Sequence, residues 1–134
     1  MRILLLMLSL CLSSAVFAED VRYLDVGVVL FDPGIPEDES THSDLEIFPR
    51  IREAEAKYLP ISLRRVLVDS GEWGVVRVVP EAGPLSEVTV EARILESNGL
   101  RQRLSVSARD ATNRLWFQQE YAFEMAQTAS GRVE

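Results

Sequence analysis

The chain has 134 residues, 47% of them hydrophobic, with 14 Lys and Arg against 21 Asp and Glu and a formal net charge of -7. That length supports one domain with a real core but not two, and the acidic balance sets aside the proteins that bind nucleic acid by neutralising phosphates. A single Cys and an ordinary apolar share exclude a disulfide scaffold and a disordered chain.

Residues 1–18 have the pattern of a secretory leader. Arg2 is followed by an apolar run from Ile3 to Leu12 and by small residues, with Val16 and Ala18 three and one positions before a cut that leaves Glu19 as the new N-terminus. The run is shorter than the roughly 20 residues a membrane-spanning helix needs. Lipidation at Cys11 is disfavoured, because Leu10 stands where processing requires a small residue. Removing these 18 residues leaves 116, and taking away Arg2 and Cys11 leaves 13 basic against 21 acidic side chains and no Cys. Thiol nucleophiles, redox motifs and thiolate metal sites are thereby excluded. The expected destination is the periplasm.

Along the mature chain, Leu24 to Phe31 is a nearly continuous apolar run ended by Asp32-Pro33-Gly34, as in a strand buried on both faces. Asp32 to Glu46 then carries six acids among turn residues and is expected to be an exposed loop. A helix follows, capped by Ser43 or Asp44, with Pro49 in its first turn and an apolar stripe of Ile51, Ala54, Tyr58, Leu59, Leu63, Val66 and Leu67. Pro60 is expected to kink it or force a restart, and Ser70-Gly71 to end it. Val75 to Val79 is a second strand, so the strand, helix and strand form a crossover with parallel strands.

Period-two alternation governs the rest of the chain. Val88, Val90, Ala92 and Ile94 share one face, as do Leu104, Val106 and Ala108 in the next strand. Leu115, Phe117, Tyr121 and Phe123 are placed on one face of a last strand, after turns at Ser97-Asn98-Gly99 and Asp110 to Arg114. The expected fold is α+β: a β-α-β crossover and a three-strand antiparallel meander in one mixed sheet, with a kinked helix on one face. It occupies residues 19–126, before a polar tail at 127–134.

The run Leu24 to Phe31 with Asp32-Pro33, and the passage from Leu63 through Ser70-Gly71-Glu72-Trp73-Gly74 to Val76, resemble a set of bacterial envelope domains. These are typified by the curli-secretion lipoprotein, the lipoprotein activators of penicillin-binding proteins and the amino-terminal domain of the Tol-Pal periplasmic protein. Asp110-Ala111-Thr112-Asn113-Arg114-Leu115-Trp116 is similar to their hairpin, with Asn113 where Gly is usual. The resemblance implies a non-catalytic periplasmic module that binds another envelope protein, without a cofactor. It implies neither a lipidated N-terminal Cys nor a membrane pore, since the residues for both are missing.

Arg93, Arg101, Arg103 and Arg109 share the outer sheet face and form the candidate partner-binding stripe, set against ordinary cross-strand pairing. His42, the sole histidine, lies among loop acids whose spacing matches no zinc or calcium pattern. Trp73 and Trp116 are expected to pack in the core or at an edge. No catalytic or metal residue is assigned. The function expected is an accessory in cell-envelope assembly or secretion; the alternatives are a subunit of an envelope transport machine and a small hydrolase or metal-binding protein.

Overall fold

The computed structural model describes residues 22–124. The leader at 1–18 and the tail at 127–134 lie outside the described residues. In chain order the elements are β1 (Val26–Val29), a short 3-10 turn (Glu39–Thr41), α1 (Pro49–Ser70), β2 (Val76–Val79), β3 (Val88–Ser97), β4 (Arg101–Asp110) and β5 (Leu115–Glu124). The sheet order is β2-β1-β3-β4-β5. Strand β1 runs parallel to both β2 and β3, while β3, β4 and β5 form an antiparallel meander. The fold is therefore the α+β arrangement that the apolar patterning implies.

All four residues of β1 are buried. Val26 and Val28 lie in the core with Val76, Val88, Ile94, Leu104 and Ala108, and burying each larger side chain there contributes about 1.5–3 kcal/mol. The opposite face of β1 is closed by the passage between β2 and β3, which brings Ser86 against Gly27 so tightly that a Cβ at Gly27 would collide with the Ser86 hydroxyl.

Helix α1 begins at Pro49, with Phe48 as its extended N-cap and no side-chain cap. Ser43 and Asp44 are therefore not the cap. Pro49 tolerates the first turn because it has no amide to satisfy, and the amides of Ile51 and Arg52 donate to the Phe48 carbonyl at 3.0 Å. The helix ends as expected, with Gly71 left-handed at φ 70° and its amide donating to the Val68 carbonyl.

The buried line of α1 differs from the expected stripe in its first half. Arg52, Ala56 and Pro60 are buried, whereas Ile51, Ala54 and Tyr58 are exposed. The buried positions thus lie one or two residues beyond the expected ones, with an arginine at the first of them. Leu59, Leu63 and Leu67 pack against the core as the spacing implies, but Val66 is 65% exposed.

Pro60 does not break α1, which is continuous from Pro49 to Ser70. Proline lacks the amide that would reach the carbonyl four residues earlier, and its ring crowds that carbonyl. The carbonyl concerned, that of Ala56, instead accepts from the Phe31 amide at 3.0 Å. The helix gap is thus filled by the chain leaving β1.

Candidate functional site

The backbone of α1 lies near β2, β1 and β3 and reaches neither β4 nor β5. A single helix is about 10–12 Å across and strands are about 4.8 Å apart, so one helix cannot cover five strands. Beside α1 the sheet forms the floor of an open groove of about 540 Å3. One wall is Leu59, Leu63, Val66 and Leu67 of α1; the floor is Leu104, Val106 and Ala108 of β4; the far rim is Phe117, Tyr121 and Phe123 of β5. Among the described residues no charged side chain lines it, and Ser62 and Gln102 are its polar exceptions apart from the Tyr121 hydroxyl and the indole nitrogens.

Every residue of β5 is exposed, including Trp116 (42%), Phe117 (42%), Tyr121 (38%) and Phe123 (55%). The expected single apolar face of this strand is corrected at one position. A register shift between Ala108 and Arg109 sets Leu115 opposite Arg109, away from the groove, and brings Trp116 and Phe117 together into it. The sequence pattern places Phe117, Tyr121 and Phe123 on one strand face and Trp116 in the core or at an edge, and nothing in it marks them as uncovered. The missing signal was the width of the sheet relative to the single helix available to cover it.

The four candidate arginines do lie on the outer face, and each is engaged within the molecule. Arg93 pairs with Asp32 at 3.4 Å and Arg101 with Glu124 at 3.3 Å. Arg103 pairs with Glu96 at 3.6 Å and Glu120 at 3.2 Å, while Arg109 donates to the Asn113 carbonyl at 3.4 Å. These exposed contacts are each worth less than about 1 kcal/mol, but the ion pairs locally offset the charges of Arg93, Arg101 and Arg103.

His42 Nε2 lies 2.9 Å from the Pro36 carbonyl, inside the acidic loop. Among the described residues no group of three or more His, Cys, Asp or Glu converges on a metal-sized site, and no helix is long and apolar enough to cross a membrane. Asp38 caps the short 3-10 turn, and its carboxylate is stabilised first by the Ser40 hydroxyl and then by the Ser40 amide, which lowers its pKa.

One buried side chain, Arg52, lies outside the sequence pattern. Arg52 is 2% exposed, and its Nη1 donates to the Pro33 carbonyl at 3.2 Å and the Ile94 carbonyl at 3.1 Å. Burial lowers its pKa, opposed by the nearby Glu55 and Glu96. Nothing in the pattern of α1 announces an inward arginine. The close approach of Gly34, left-handed at φ 61° with its Cα against the Ile94 carbonyl, completes this junction of loop, helix and β3.

Asp110 organises the turn between β4 and β5. Its Oδ1 accepts from the Thr112 hydroxyl at 2.6 Å and from the amides of Thr112 and Arg114 at 3.0 Å, and its Oδ2 from Arg114 Nε at 3.0 Å and Trp116 Nε1 at 3.3 Å. The Thr112 hydroxyl leads these bonds in holding the carboxyl well below the usual carboxylate range. Asn113 takes φ 65°, the positive value that Gly would supply. The motif is thus a turn-building device that also orients Trp116 at the end of the groove.

No family model matches the chain, and no curated protein matches it.

Proposed function

We propose that this chain is a non-catalytic protein-binding module of the bacterial cell envelope, an accessory in envelope assembly or secretion that residues 1–18 direct to the periplasm. The observation that carries this proposal is the uncharged, aromatic-rimmed groove beside α1. Interface cores are depleted in charge and enriched in Trp, Tyr and Phe, and their strongest contacts are aromatic anchors in the centre of the patch. A sheet that leaves one apolar half-face open next to a ten-residue edge strand has the surface a docking module requires. The arginine stripe has the weaker claim, since a partner would have to displace its internal acids.

The test is co-purification from envelope extracts with the wild-type chain and with Phe117→Glu, which places a charge at the exposed groove rim. Stoichiometric recovery of an envelope protein by the wild type, lost in Phe117→Glu and retained in an Arg101→Ala/Arg103→Ala double variant, is the expected result. Equal recovery by all three, or by none, would refute docking through the groove.

A further inference from the structure

We infer that the occupant of the groove is a second copy of this chain, packed face to face across a two-fold axis so that each open half-sheet covers the other. The inference rests on the proposal that the groove is a docking surface, and it names the partner.

The layers have compatible thickness. Packed sheets are about 10 Å apart, and a helix is about 10–12 Å across, so a second half-sheet fits in the layer that α1 already occupies. In that arrangement the β4–β5 half of one protomer lies beside the other's α1, and the two-fold operation repeats the contact. A two-fold interface uses the same patch twice, so the patch must tolerate itself. This one does, because among the described residues its lining has no charge to repel its copy. The acids of β5 pair across the sheet with outer-face residues, Glu120 opposite Ser105 and Glu124 opposite Arg101, and so stay on the side away from the contact.

The area is also of the right size. An aromatic side chain presents roughly 150–250 Å2, so Trp116, Phe117, Tyr121 and Phe123 at their observed exposures offer about 350 Å2 per protomer. Val66 and the partly open Leu63 raise this to about 500 Å2, and two protomers together reach the roughly 1,000 Å2 at which specific interfaces begin. The same figure predicts a reversible dimer rather than an obligate one.

Sedimentation of the purified protein over a range of concentrations tests this. The expected result is a concentration-dependent monomer–dimer equilibrium, weakened about 30-fold or more by Phe123→Arg and by Val66→Glu. Both positions are exposed, so at concentrations where the wild type is monomeric the circular dichroism and thermal melt of each variant should match it, and Glu53→Lys should leave the equilibrium unchanged. A wild type that is monomeric throughout, a dimer that survives both groove variants, or a monomer carrying an acyl-chain ligand in native mass spectrometry would overturn the inference. A monomeric wild type that still retains an envelope protein through Phe117 would remove the second copy and leave the docking proposal standing.

Discussion

Asp110 and Arg52 do their work through unusually concentrated polar contacts. Asp110 receives five hydrogen bonds in a single turn, and its folded pKa lies below its unfolded value of about 3.9. A depressed carboxylate stabilises the fold fully above the unfolded value and progressively less as pH falls below it. Wild-type stability should therefore decline on acidification below about pH 4, and Asp110→Asn should remove part of that decline while lowering the thermal midpoint at neutral pH. A pH series of thermal melts on both proteins checks this. Arg52 presents a different balance. Arg52→Ala leaves two carbonyls without their donor and opens a void, at a cost of about 3 kcal/mol. Arg52→Met keeps the stem's packing and removes a buried charge, so urea unfolding should place it nearer the wild type than Arg52→Ala.

At the scale of elements, α1 is fastened to the sheet through the position that ought to weaken it. Pro60→Ala would normally favour a helix interior by about 3 kcal/mol. Here the new amide competes with Phe31 for the Ala56 carbonyl, and leaving one buried donor unpaired costs about 1–3 kcal/mol. The expected outcome is much less than the full gain, with faster hydrogen exchange at the Phe31 amide; a full gain with unchanged exchange at Phe31 would show that the bond contributes nothing. The strands and turns were legible because period-two alternation and turn residues are local signals: Gly71 and Asn113 adopt the positive φ their positions imply. The inward face of α1 was less so. Arg52 is polar by type and buried by tertiary contact with Ile94 and Pro33, and no periodicity of apolar residues can register that. The groove was invisible for a related reason. Phe117, Tyr121 and Phe123 alternate like core residues, and only the position of α1 over β2, β1 and β3 reveals that they are uncovered.

For the whole molecule, the two sheet edges have opposite characters. Strand β2 is four residues long, is followed by Pro80, and has its Val76 carbonyl taken by Arg64 Nε at 3.0 Å. Those features discourage another chain from adding to it. Strand β5 is ten residues long, has neither Pro nor Lys, and carries the aromatic rim of the groove. The β2 edge is therefore guarded against strand addition and the β5 edge is open to it.

The central position of β1 also has a consequence in time. Among the described residues both its neighbours come later in the chain, with Val26 aligned to Val76 on one side and Val88 on the other. The core cannot close while the chain is shorter than the start of β3, whatever local helix forms meanwhile, and such distant pairings are slow to assemble. The sheet therefore closes around β1 only once β3 is available, so its central strand is among the last parts of the described fold to be buried on both sides.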